Sequence, residues 1–137
     1  MLRLGRVTNV YPDQGRVKVV FEDTGNASVP LPVMTFNGEY SLPEVGSMVC
    51  VESFDNGSSK GVVLGTFYSD SNQPKASSGY RKDFTDKAYA TAEGGAYELK
   101  SETEATIDSG NITFKSDGGT ITVAEIISRI EALEARL

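Results

Sequence analysis

The side chains best suited to chemistry in this 137-residue chain are carboxylates in its second half: Asp83, Asp86, Glu93, Glu98, Glu102, Glu104, Asp108 and Asp117. Two such groups about 5–10 Å apart in a cleft would make a glycosidase pair. Alternating acids closed by a glutamate would make a calcium loop. The acids instead fall on narrow strand-like segments that imply no deep cleft, and the calcium spacing is missing. They read as the solvent face of strands, where charge also suppresses edge-to-edge pairing. Histidine is absent, which excludes Ser–His and Cys–His catalytic arrangements. The single cysteine, Cys50, lies in the apolar run Met48–Val51 and reads as a core residue without the electropositive setting of a reactive thiol. Asp117-Gly118-Gly119 reads as a turn and does not match the GxxxxGK[ST] phosphate loop. No catalytic residue, metal site or cofactor is expected.

The remaining bounds point the same way. The formal charge is −6, from 13 basic and 19 acidic residues, with no basic patch of the kind that tracks phosphates. One cysteine allows no intrachain disulfide, which fits synthesis in a reducing compartment. The first residues, MLRLGRVTNVYPDQ, contain no apolar stretch of signal-peptide type, so none is expected. No apolar run approaches membrane-spanning length, and stable membrane insertion is not expected.

Residues 1–74 carry the pattern of a small antiparallel barrel. Leu2, Leu4, Val7 and Val10 begin a strand that breaks at Tyr11-Pro12-Asp13-Gln14-Gly15, a tight-turn composition. Val17, Val19 and Phe21 alternate in the next strand, making a hairpin. Val29-Pro30-Leu31-Pro32-Val33 holds two prolines and is restricted to an edge strand or extended segment. Met48–Val51 is continuous enough to be buried on both sides or to curl through a barrel. A hairpin turn over Asp55–Ser59 leads to Gly61–Gly65, a strand with glycines at both bends. Five short strands of this kind describe an OB-fold-like barrel. Its aromatics, Tyr11, Phe21, Phe36, Tyr40, Phe54, Phe67 and Tyr68, are expected mostly in core packing. Ser69–Pro74 reads as a polar linker, and Lys75–Glu93 as extended and polar with a few aromatic anchors.

Residues 75–123 read as a β-structured shaft. Short alternating runs recur about every eight residues: Tyr97-Glu98-Leu99, Ala105-Thr106-Ile107, Ile112-Thr113-Phe114 and Ile121-Thr122-Val123. Turns at Ser101–Glu104, Asp108–Asn111 and Ser116–Gly119 separate them. Each strand offers two apolar side chains, too few to offset the entropy of ordering a lone sheet. Folding with further copies of the chain follows; a meander flanking a monomeric barrel is the alternative.

Residues 123–137 read as a helix. Thr122 and Glu125 have capping-box spacing, and Glu125 and Arg129 stand at i,i+4. Val123, Ile126, Ile130, Leu133 and Leu137 step by three and four, a coiled-coil seam through two heptads. Isoleucine at both kinds of core position favours trimers or tetramers over dimers. An amphipathic helix docked on its own domain is the alternative.

Gly5-Arg6-Val7, Gly15-x-Val17-x-Val19, Leu31-Pro32-Val33, Pro43-x-x-Gly46-x-x-Val49, Gly61-x-x-Leu64-Gly65-x-x-Tyr68 and Arg81-x-x-Phe84-x-Asp86 together resemble the phage baseplate assembly protein V family. That family forms the central spike of contractile tails and is similar in organisation to type VI secretion spikes. The resemblance runs through essentially the whole chain in order. It implies an N-terminal OB-fold, a homotrimer, an intertwined β-structured shaft of β-helix type, and a virion or phage-tail-like particle as location. It also implies contacts from the barrel to other baseplate proteins, with a C-terminal end that is either blunt or capped by a separate tip protein. Where the family often has Asp-Gly, this chain has Asp86-Lys87, and without histidine the iron-binding pair of some family tips cannot form.

The expected trimer interface comprises Leu99, Ile107, Ile112, Phe114, Ile121, Val123, Ile126, Ile130, Leu133 and Leu137. The expected function is structural: a force-transmitting spike or hub that is not an enzyme and binds no nucleic acid. The alternative is an oligomeric OB-fold nucleic-acid binder, which requires a positive groove with stacking aromatics. Residues 1–75 carry six basic against eight acidic side chains, which weighs against it.

Overall fold

The computed structural model describes residues 1–55, 57 and 59–137. The chain is mainly β with one C-terminal helix, and it divides into two units, Met1–Ser77 and Ser78–Leu137. The hairpin turn expected over Asp55–Ser59 falls partly on Asn56 and Ser58, which lie outside the described residues.

The first unit contains β1 (Leu2–Tyr11), β2 (Arg16–Phe21), β3 (Leu31–Pro32), β4 (Met48–Ser53) and β5 (Gly61–Thr66). The hydrogen-bonded order is β3-β2-β1-β4-β5. A parallel bridge between Val33 and Val63 joins the two ends, with Met34 N–H donating to the Val63 carbonyl at 2.8 Å. The sheet is therefore a nearly closed barrel. Val7, Val17, Val19, Phe21, Leu31, Val49, Val51 and Val63 fill it, and Val10 and Val33 pack against them. A barrel this small is filled by mid-sized branched side chains standing on alternate strand positions.

Two features of the sequence explain the turns and the short edge. Pro12–Gln14 form a single 3-10 turn, and Gly15 leaves it at φ 63, in the left-handed region open to glycine. Pro30 and Pro32 supply no N–H, so β3 is two residues long. Ser28 completes the missing edge: its Oγ accepts from Val19 N–H at 3.0 Å, and its own N–H donates to the Val19 carbonyl at 2.7 Å.

The phase of β1 differs from the expectation. Leu2 and Leu4 face solvent, while Arg3 is buried with 6% of its surface exposed. Val7 must face the core, and a strand alternates every second residue, so positions 3 and 5 face inward with it. Gly5 fits there because an added Cβ would lie 3.1 Å from Val19. A register shift between Val7 and Asn9 then changes the phase, so that Val10 also reaches the core.

The inward Arg3 is fully engaged. It forms two hydrogen bonds to Asp23, at 2.9 and 2.8 Å, and a third to the Gly57 carbonyl at 3.0 Å. Its guanidinium also lies 3.6 Å from the centre of the Phe21 ring. The aromatics differ from the expectation too. Phe21 alone of the seven is buried; Phe36, Tyr40, Phe54 and Tyr68 are exposed. They lie in loops and strand flanks, outside the alternating positions that face the barrel axis.

In the second unit β6 (Tyr80–Thr85), β7 (Ala88–Glu93) and β8 (Ala96–Ser101) form an antiparallel meander. Asp86 and Lys87 are the two loop residues between β6 and β7, with Lys87 N–H donating to Thr85 Oγ1 at 3.1 Å. A register shift at Phe84 adds local twist beside this turn. β9 (Thr113–Ser116) and β10 (Gly119–Thr122) form a hairpin that runs into α1 (Val123–Glu134). β6 and β7 lie within the polar segment read from the sequence as extended, Lys75–Glu93. The run Ala105-Thr106-Ile107 forms no strand. Local polar bonds occupy that segment instead: Ser101 Oγ donates to the Glu104 carbonyl, Thr106 Oγ1 to Glu104 Oε1, and Ser109 Oγ to the Asn111 carbonyl. Such bonds compete with a strand ladder.

Val51→Ala is expected to destabilise the barrel by about 2 kcal/mol, from lost apolar contact plus the residual cavity; a urea melt followed by circular dichroism measures it. A second test uses pH. Asp23 is held below the usual carboxylate range, chiefly by the hydrogen bond from Arg3. Its contribution is complete above the unfolded value of about 3.9 and declines as pH falls through the lower folded value. Asp23→Asn should lower the thermal midpoint at neutral pH and flatten its decline on acidification below about pH 5.

Candidate assembly surface

The second unit has a surface far larger than its interior. Ala90, with 8% of its surface exposed, is the one buried apolar residue among its described residues. The chain exposes 10354 Å² in total. A compact monomer of 14.7 kDa exposes about 6,900 Å², and two independent compact halves of that mass about 8,400 Å².

The meander has two unlike faces. Directly paired residues share a face, and the pairing sets Tyr80, Ala92 and Tyr97 beside Lys82, Ala90 and Leu99. Small alanines on the central strand are flanked there by large exposed side chains; Tyr97 is 70% exposed and Leu99 64%. The opposite face carries Arg81, Thr91 and Glu98 beside Asp83, Tyr89 and Lys100. Arg81 pairs with Asp83 at 3.0 Å and lies 3.9 Å from the centre of the Tyr89 ring. Its pKa is raised, first by the hydrogen bond to Asp83. On the charged face Arg81, Asp83 and Tyr89 engage one another, whereas on the other face Tyr80, Tyr97 and Leu99 stand exposed beside Lys82.

The hairpin and helix form a second apolar region. Phe114 and Ile121 are direct cross-strand partners on β9 and β10. Together with Lys115 and Arg129 they line an open hollow of about 440 Å³. The helix starts where the hairpin ends because Thr122 serves both elements. It pairs with Thr113 in the ladder, and its Oγ1 accepts from Glu125 N–H at 3.2 Å as the helix N-cap. Val123 N–H donates to the Ile112 carbonyl at 2.9 Å, tying the first helical residue to the segment before β9.

The ten residues expected at the interface occupy three places. Phe114 and Ile121 meet on the hairpin. Val123, Ile126, Ile130 and Leu133 follow the helical seam; Val123 and Ile126 are half-buried, Ile130 and Leu133 are exposed, and Leu137 is exposed three residues past the end of α1, which stops at Glu134 and not at 137 as expected. Leu99 stands on the meander's apolar face. Ile112 is half-buried just before β9, and Ile107 is exposed in the irregular segment 102–112. The sequence reading missed Tyr80 and the alternating Ala88, Ala90 and Ala92 of β7. Their period of two was the available signal, but alanine carries too little apolar weight to announce a strand.

Among the described residues no three acidic, histidine or cysteine side chains are grouped to hold a metal ion. Among the described residues no helix is long and apolar enough to cross a membrane. No protein-family model matches the sequence, and no curated protein matches it.

Thr122→Ala is expected to cost about 1 kcal/mol of helix stability by orphaning the Glu125 N–H. The change would appear as reduced ellipticity at 222 nm and earlier thermal fraying of α1.

Proposed function

We propose that this chain is the homotrimeric central spike or hub of a phage tail or phage-tail-like contractile particle. The observation that carries the reading is the second unit: its strands and helix present apolar side chains in regular order and bury almost none of them. Ordered chain without a core loses conformational entropy with little compensation, so such a unit requires partners. A second copy presents the same complementary strands and seam, and cyclic assembly buries them repeatedly. Isoleucine at Ile126 and Ile130 favours more than two helices at the seam.

The first unit supports the same reading. Its ring of strands, β1-β2-β3-β5-β4, with β3 and β5 parallel, is the arrangement expected of an OB-fold, as the resemblance to the baseplate protein V family implies. Exposed Phe36, Tyr40 and Val45 in the long loop before β4 offer contacts to surrounding baseplate proteins. The shaft, residues 75–123 with the helix beyond, would be the intertwined rod that carries load, its end available to a separate tip protein. The role is mechanical: force comes from the contracting particle, and the chain transmits it without a catalytic step or cofactor. Beyond residue 75 the chain carries eleven acidic and seven basic side chains, a solvated surface suited to sliding.

Light scattering should give three chains of 14.7 kDa, about 44 kDa. A well-folded monomer at micromolar concentration would overturn the proposal. Ile130→Asp would place one charge from each chain in a single core layer and should fray α1 or dissociate the assembly, while leaving the barrel intact. Unchanged ellipticity together with unchanged mass would remove the seam from the interface. Titration with single-stranded DNA at low salt should show no binding; tight binding would favour the nucleic-acid reading instead.

A further inference from the structure

The seam of α1 assigns every other helical residue a position. With Val123 and Ile130 at a, and Ile126 and Leu133 at d, Arg129 falls at g and Glu134 at e, the two positions that flank a helical core. Among the described residues neither side chain has an ion-pair or hydrogen-bond partner. Glu134 is the last residue of the helix, where the negative end of the dipole disfavours a carboxylate, and the last turn contains no basic residue. Arg129 stands on the hollow that Lys115 also lines, and Glu125, one turn before it, forms no ion pair with it. Among the described residues both charges are therefore left without an ion pair inside one chain.

In parallel coiled coils a g residue faces the e residue five positions later on the neighbouring helix. Arg129 and Glu134 are separated by five and carry opposite charge. In an antiparallel arrangement g would face g and e would face e, setting Arg129 against Arg129 and leaving Glu134 without a basic partner. We propose that Arg129 of each copy pairs with Glu134 of the next, and that this cross-chain pair fixes the C-terminal helices parallel and in register. The inference rests on the homotrimeric reading and adds the orientation that the apolar seam alone leaves open. Hydrophobic side chains at a and d bury equally well in either direction; the flanking charges do not. With the helices parallel, all copies of the preceding hairpin lie at the same end of the bundle, as a continuous shaft requires.

The test uses the full chain in a Cys50→Ser background. Leu133→Cys, at a d position, should give a covalent dimer on mild oxidation, and Ser128→Cys, on the outer face, should not. Arg129→Glu and Glu134→Arg should each raise the dissociation midpoint about tenfold or more, through several like-charge contacts per assembly. The combined Arg129→Glu/Glu134→Arg chain should recover most of that loss, because the pair is re-formed with reversed sign. A multimer that forms no disulfide between positions 133, or a double variant no tighter than either single one, overturns the pairing and leaves the trimer standing. A monomeric unsubstituted chain overturns both.

Discussion

Apolar surface must be covered by something, and the two units of this chain meet that requirement differently. Every side chain of the barrel core comes from residues 7–63, and each strand from β1 to β5 contributes to it. The barrel thus closes its account with water within one chain. Residues 78–137 hold comparable lengths of regular structure but almost no interior. Their hydrogen bonds are largely local, in two- and three-stranded ladders and one helix, and local ladders alone give little net stabilisation. That imbalance makes association the natural reading of the second unit.

The barrel shows how a single inward position propagates. With Val7 committed to the core, period-two geometry sends Arg3 inward, and a cation inside a barrel needs partners. The chain supplies them from three directions: the ring of Phe21, the carboxylate of Asp23 and the carbonyl of Gly57. Phe21 and Asp23 lie on either side of the end of β2, and Gly57 lies between β4 and β5, so one side chain gathers two separate connections at one place. The outward Leu2 and Leu4 are the counterpart of this choice, exposed because the opposite phase would bury them at the expense of Val7. The inward arginine buys a fixed loop arrangement where a larger apolar residue would only have added bulk.

In the second unit, order comes from polar detail. Thr122 ends a ladder and begins a helix through one hydroxyl, so hairpin and helix are a continuous piece rather than neighbours. The meander separates its chemistry by face. Arg81, Asp83 and Tyr89 satisfy one another on one side, and the alanines of β7 leave the other side low and flat between tyrosines and Leu99. Low central residues with tall flanks let another sheet or helix approach closely, whereas the charged side would pay desolvation on contact.

The sequence by itself determined what depends on near neighbours. The Pro12–Gly15 turn, the hairpin of β1 and β2, the proline-limited β3 and the Thr122 start of α1 are local choices of proline, glycine and capping hydroxyl, and these are legible in one strand of text. The seam of α1 is equally local, since residues three and four apart share a helix face whatever surrounds them. Tertiary structure alone decided the rest. Leu2 and Leu4 look like core residues until the register with Val19 and Val49 sets the phase of β1. Ala105–Ile107 alternates like a strand, but a strand exists only when another backbone accepts its hydrogen bonds, and here side chains took that role. Conversely, the weakly patterned Tyr80–Glu93 became two strands because β8 offers an edge to pair with. Alternation states which face a strand would bury; whether the strand forms is settled by a partner that lies elsewhere in the chain.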